Sequence, residues 1–160
     1  MRLTSYTDYC LRVLIFVAAR PDQRATIAEI ARSYGISENH LVKVVHFLGK
    51  AGFLENVRGR GGGLQLAEAA SRINVGTVVR SAEGPALPAA CFDRAAPKCS
   101  IAPACRLRGV LGDAVEAFYA VLDRYTIADL VADRAQLRAI LLPRPPPRRV
   151  ERRQPSLRHR

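Results

Sequence analysis

Thr26-Ile27-Ala28-Glu29-Ile30-Ala31-Arg32-Ser33-Tyr34-Gly35-Ile36-Ser37-Glu38-Asn39-His40-Leu41-Val42-Lys43-Val44-Val45 decides the fold. Its first four residues form a capping box. The threonine oxygen accepts from the backbone and the glutamate reaches back, so a helix is expected from Ile27 to about Tyr34. Gly35 ends it. Ser37 offers a fresh N-cap two residues later, and Leu41, Val42, Val44, Val45 and Leu48 continue at helical spacing to Ala51. Two helices joined by a tight turn containing glycine make a helix-turn-helix, a pattern that many ordinary helix pairs share. The next segment sharpens it. Phe53-Leu54-Glu55-Asn56-Val57 and Leu64-Gln65-Leu66 read as short strands around Arg58-Gly59-Arg60-Gly61-Gly62-Gly63, a hairpin with a basic, glycine-rich tip. That hairpin is a wing.

Upstream, Tyr6, Tyr9, Cys10, Val13, Leu14, Phe16 and Val17 fall at steps of three and four between Ser5 and Ala19, one buried face of a helix that Pro21 closes. Asp8 and Arg12 lie four apart on it, the spacing of a surface ion pair. Cys10 falls on the apolar stripe and reads as a small core residue. Downstream, Asn74 caps a short helix over Gly76 to Ala82, broken by Gly84 and Pro85. Leu107, Val110, Leu111, Val115, Phe118, Val121, Leu122 and Tyr125 then hold an apolar stripe for about five helical turns. A helix that long in a small chain is expected to share its stripe between its own body and a two-fold mate. Thr126-Ile127-Ala128-Asp129 begins another short helix that ends near Leu142. The fold class is therefore mainly α with a small β-hairpin wing. Residues 1–83 form a winged helix-turn-helix DNA-binding domain and 84–106 a cysteine-bearing loop. Residues 107–142 form a dimerisation helix with a short C-terminal helix, and 143–160 a basic Pro/Arg-rich tail expected to be extended or disordered.

The 160-residue chain is 49% apolar, ample for one core. Its formal charge is +11, and seven arginines against Glu151 place six of those charges in the last eighteen residues. A modestly basic body with a strongly basic tail points to a polyanion, most simply double-stranded DNA. Asn39, His40 and Lys43 lie near the start of the third helix and off its apolar stripe, where a recognition helix places residues against base edges. Arg58 and Arg60 at the wing tip supply charge for a minor groove or for phosphates. No apolar run is long enough for a membrane span, and no signal peptide is legible, so the thiols are expected in a reducing cytoplasm. No nucleophile-base set, paired acids or phosphate-binding loop is visible, which argues against an enzyme.

Cys91, Cys99 and Cys105 sit in a Pro- and Ala-rich segment without apolar period, separated by seven and five residues. Such a loop needs something to hold it, and a thiolate-bound metal can order a segment too poor in apolar side chains to order itself. The spacing is wider than the CxxC pairs of structural zinc sites, and three thiolates fall one short of a closed tetrahedron. An iron-sulfur centre with a labile last ligand, a zinc site, and redox-active or buried cysteines all remain open on spacing alone. Pro103 marks the expected start of the long helix, with Cys105 in its first turn, where the helix dipole favours a thiolate.

Several stretches together carry a family resemblance. They are Leu3-Thr4-Ser5-Tyr6-Thr7-Asp8-Tyr9, Tyr34-Gly35-Ile36-Ser37-Glu38-Asn39-His40-Leu41-Val42-Lys43, Val57-Arg58-Gly59-Arg60-Gly61-Gly62, Pro103-Ala104-Cys105-Arg106-Leu107 and Leu122-Asp123-Arg124-Tyr125-Thr126-Ile127-Ala128-Asp129-Leu130. Over residues 1 to about 142 the chain resembles the NsrR repressors. These are nitric-oxide-sensing iron-sulfur regulators within a wider winged-helix family that includes IscR. The resemblance implies a homodimer on a pseudo-palindromic operator, with nitric oxide as effector. It implies an iron-sulfur cluster, 4Fe-4S rather than 2Fe-2S, held by Cys91, Cys99 and Cys105 with Asp8 of the partner subunit as an oxygen ligand. The interval from Cys91 to Cys99 is longer than is usual in those sensors, and Asp93 is a possible substitute for Cys91. The alternatives are a redox or iron-status regulator with a 2Fe-2S cluster, and a zinc-stabilised DNA-binding module.

Overall fold

A computed structural model describes residues 2–85, 88–93, 95 and 99–142. Its elements run α1 (Ser5–Ala18), α2 (Ile27–Tyr34), α3 (Glu38–Lys50), β1 (Leu54–Val57), β2 (Gly63–Leu66), α4 (Val75–Glu83), α5 (Leu107–Leu122), α6 (Ile127–Leu130) and α7 (Arg134–Leu141). Single 3-10 turns lie at Ala90–Phe92 and Ala102–Ala104. This is a winged helix-turn-helix fold, mainly helical with one antiparallel hairpin. The Pro/Arg-rich stretch 143–160 lies outside the described residues.

Local chemistry sets most boundaries. Thr4 caps α1 by accepting from the Thr7 amide at 3.2 Å. The capping box before α2 is complete: the Glu29 amide donates to Thr26 Oγ1 at 3.2 Å and the Thr26 amide donates to Glu29 Oε2 at 2.8 Å. Gly35 closes α2 in the left-handed region at φ +64, where a side chain would be strained. Ser37 stands at the N-cap of α3, but its side chain makes no capping bond. Its carbonyl alone starts the helix, accepting from His40 and Leu41 at 3.1 and 3.2 Å.

The core gathers around α1, whose Cys10, Val13, Leu14 and Phe16 have no exposed surface. They pack against α3 and α4. Of the expected α3 stripe, Leu41, Val44, Val45 and Leu48 are buried, but Val42 is 52% exposed and is no part of the core. The wing pairs Leu54 with Leu66 and Val57 with Gly63. Ala25 extends it, exchanging backbone bonds with Leu64 at 3.0 and 2.7 Å, so the hairpin is stitched to the segment that leads into α2.

The C-terminal half is bolted on through α4. Arg80 holds Asp123 with two bonds of 2.6 Å, while Asn74 Nδ2 donates to the Asp123 carbonyl at 2.7 Å. Along α5, Tyr119 is buried and Val115, Phe118 and Leu122 pack on the core, whereas Leu107 and Val110 are 59% and 61% exposed. The single helix expected from Thr126 to Leu142 is two helices. Thr126 and Asp129 form a capping box for α6, and Asp133 caps a fresh start by accepting from the Gln136 amide at 2.9 Å. Two N-cap signals seven residues apart divide the stretch. The end of α7 docks on α2, Ser33 Oγ donating to the Leu141 carbonyl at 2.6 Å. Among the described residues no helix is long and apolar enough to cross a membrane.

Candidate DNA-reading face and cysteine loop

The buried side of α3 leaves Asn39, His40, Lys43 and His46 on solvent. His40 leans on Tyr9 of α1, ring centres 6.3 Å apart, which limits its swing and sets it at the flank of the helix. Arg58 and Arg60 are exposed at the wing tip. Their turn needs glycine: a Cβ on Gly62 would run into the Val57 carbonyl and lie 2.8 Å from that of Gly59. Arg24, which sequence reasoning missed, braces this tip by donating to the Gly61 carbonyl at 3.0 Å and to Gln65 Oε1 at 3.2 Å. Its place beside the strand-like Ala25 was the available signal. A cleft of about 1050 Å³ at the root of the wing is lined by Arg20, Arg24, Gly61 and Gln65, and by none of the cysteines. The buried Arg20 charge there is answered by Glu29 at 3.3 Å and Gln23 at 2.9 Å, although its Nε has no hydrogen-bond partner.

All four cysteines are free thiols. Cys10 is wholly buried in α1, and burial pushes its thiol up to about 12, so it stays protonated and is packing material. Cys91 lies half-buried in the 3-10 turn Ala90–Phe92, Cys99 is exposed, and Cys105 is half-buried. Cys105 does not occupy the first turn of the long helix. Pro103 sits inside the second 3-10 turn, Cys105 follows in extended conformation (φ −78, ψ 106), and α5 begins at Leu107. Neither turn buries a side chain. One anchor is visible: the Arg108 guanidinium of α5 lies 5.7 Å from the Phe92 ring. Asp93 is engaged locally, accepting from the Ala95 amide at 2.9 Å.

The structure does not draw these donors to one point; among the described residues no three His, Cys, Asp or Glu side chains stand together as a metal set. The donor chemistry nevertheless fits a thiolate-bound centre: three free thiols share one segment, none lies in the core, and neither short turn buries a side chain. Asp8 is partly exposed in the first turn of α1 and pairs with Arg12 at 2.9 Å. A second link was not legible in sequence. Glu83, the last residue of α4 before the loop, accepts from the Thr4 amide at 2.6 Å and from Thr4 Oγ1 at 3.0 Å. Burial works to raise the Glu83 pKa, but bonds from Thr7 and Thr4 outweigh it and hold the carboxyl below its usual range.

The profile of the Rrf2 family, described as an iron-dependent transcriptional regulator, matches residues 3–133. The chain is 48% identical over 142 residues to the HTH-type transcriptional regulator NsrR of Bacillus subtilis, covering 88% of this chain and 97% of that protein. It is 43% identical to NsrR of Halalkalibacterium halodurans over 91% of this chain and all of that one. Among solved structures it is similar to the IscR of T. potens (TM-score 0.66, 25% identity, 83% and 88% of the two chains). It is also similar to CymR, the global cysteine regulator of B. subtilis (TM-score 0.64, 27% identity, 82% and 97%). A helix-turn-helix with a basic wing, a free-thiol loop after α4 and relatives of this closeness lead to one assignment: the chain belongs to the Rrf2 family of transcriptional regulators, on its NsrR branch.

Proposed function

We propose that the chain is a homodimeric, DNA-binding transcriptional repressor that senses nitric oxide through an iron-sulfur cluster, 4Fe-4S in its native form, and controls nitric-oxide stress or detoxification genes. One observation carries this reading: three free thiols lie outside the core on a segment whose described turns bury no side chain, in a chain of the Rrf2 family. Cys91, Cys99 and Cys105 would hold the cluster, with Asp8 of the partner subunit as the oxygen ligand. When bound, the cluster supplies iron able to take up nitric oxide.

The remaining work falls to the chain's own residues. Release from Arg12 would free Asp8 to serve the neighbouring subunit. Glu83 ties the entry of the loop to the head of α1, and α1 packs on α3, so the order of the loop bears on the placement of the reading helix. The exposed side of α5 would join the two subunits. Asn39, His40 and Lys43 would read the major groove in each half-site while Arg58 and Arg60 meet phosphates or the minor groove. Shifting occupancy from mostly bound to mostly free takes about 5 kcal/mol of differential affinity, which loss of an intersubunit ligand together with loop disorder can supply.

Anaerobic purification with iron and sulfide assays, followed by nitric-oxide titration against a bound operator, tests the reading. The expected result is coloured protein with iron and sulfide that leaves DNA as nitric oxide is added. Cys91→Ala, Cys99→Ala and Cys105→Ala are each expected to lose iron, and Cys10→Ala to keep it. Colourless protein that binds DNA and ignores nitric oxide overturns the proposal. Zinc without iron or sulfide would mark a zinc-stabilised module instead.

A further inference from the structure

We propose that Val42 reads a thymine 5-methyl group, an apolar specificity contact set among the polar ones of α3. The proposal rests on the DNA-reading role of α3 given above. At about 100° per residue, the buried Leu41, Val44, Val45 and Leu48 centre on one side of the helix, and Asn39, Lys43 and His46 on the opposite side. Val42 belongs to the second group, three residues after Asn39 and four before His46. It is 52% exposed, the one aliphatic side chain of α3 that the core leaves out.

A scattered surface valine needs no explanation by itself. The setting of this one does. Its neighbours one turn away are Glu38, Asn39, Val45 and His46, and Val45 faces the core, so α3 itself sets no second exposed aliphatic side chain beside it. Asn39 and His46 beside it can donate to base edges and phosphates, and Glu38 can accept from a cytosine amino group. Whatever lies along this face is polar and anionic, yet it must meet a branched hydrocarbon. The thymine methyl is the apolar group that duplex DNA displays in the major groove, and a β-branched side chain with little rotamer freedom suits a fixed contact.

The test uses the full-length protein, purified anaerobically, and a random duplex library; the sequence it enriches becomes the probe. Each thymine is then replaced in turn by deoxyuridine, which removes the methyl alone. At one thymine per half-site, the replacement is expected to weaken wild-type binding about four- to tenfold, the worth of one buried methyl contact. Val42→Ala, which loses the contact in both half-sites, should bind the unmodified probe as weakly as wild type binds a probe with that thymine replaced in both half-sites, and should ignore the replacement. Because position 42 is exposed and alanine favours helix, Val42→Ala is expected to fold, which circular dichroism checks. Wild type indifferent to every uracil, or Val42→Ala keeping the wild-type thymine preference, overturns the proposal while α3 still reads DNA. Wild type that enriches no sequence overturns the DNA-reading role itself, and this contact with it.

Discussion

Gly76 is where two helices meet without room for a methyl group. A Cβ there would strike the Asp123 carboxylate and lie 3.1 Å from Arg80 Nη1, the pair that joins α4 to the end of α5. Alanine favours a helix interior by about 1 kcal/mol over glycine. Gly76→Ala is nonetheless expected to forgo that gain, because the added methyl pushes Asp123 off its bidentate partner; an unfolding midpoint in urea no higher than that of wild type checks this. Asp123 itself carries a pH signature. The Arg80 hydrogen bonds hold its carboxyl below the ordinary 3.8, so the unfolded state takes up a proton first as pH falls. The stability it contributes is full above the ordinary value and is lost as pH drops through the lowered one. The gap in melting temperature between wild type and Asp123→Asn should therefore be constant from neutral pH to about 5 and close as the pH falls below the ordinary carboxylate range. At this scale Cys10 was readable from its place on the apolar stripe. The Arg80–Asp123 lock was not, since its partners are 43 residues apart.

Element by element, the helix starts were the most legible features. Thr26, Asn74 and Thr126 each cap with side-chain atoms three residues from their partners, so four residues of sequence contain the whole interaction. Where the deciding interaction is tertiary, the reading failed. Val42 was read into the apolar run of its neighbours, yet it lies off the stripe of Leu41, Val44, Val45 and Leu48, and the packing of α3 leaves it on solvent. Pro103 looked like the first residue of a helix and instead belongs to a separate turn, which leaves Cys105 ahead of α5. The wing was recognised from its glycines, but its brace was not. Arg24→Ala should loosen the tip and weaken operator binding with little change in melting temperature, because Arg24 is exposed and its two side-chain hydrogen bonds go to the hairpin. Arg58→Ala should cost about 1–3 kcal/mol of operator affinity if it reads a groove. If it contacts phosphate, the slope of log affinity against log salt should fall by about one. Fluorescence anisotropy across a salt series separates the two.

For the molecule as a whole, α5 has two fates along one helix. Val115, Phe118, Tyr119 and Leu122 turn to the body, while Leu107, Val110 and Val121 remain on solvent. A second copy covering that outer side is expected to be lost in Val110→Asp, which sedimentation would report as a monomer with an unchanged helical spectrum; a dimer that persists would place the interface elsewhere. That part of the long stripe would pack on the chain's own body followed from its length alone, whereas the course of the cysteine loop followed from nothing in its composition. Its short turns carry no periodic apolar signal, and the donors are left apart. The bond from Thr4 to Glu83 joins residues 79 apart in sequence. It cinches the body shut like a drawstring at the seam where the loop departs. A tug on the strand of chain beyond Glu83 is therefore also a tug on the turn that carries Asp8.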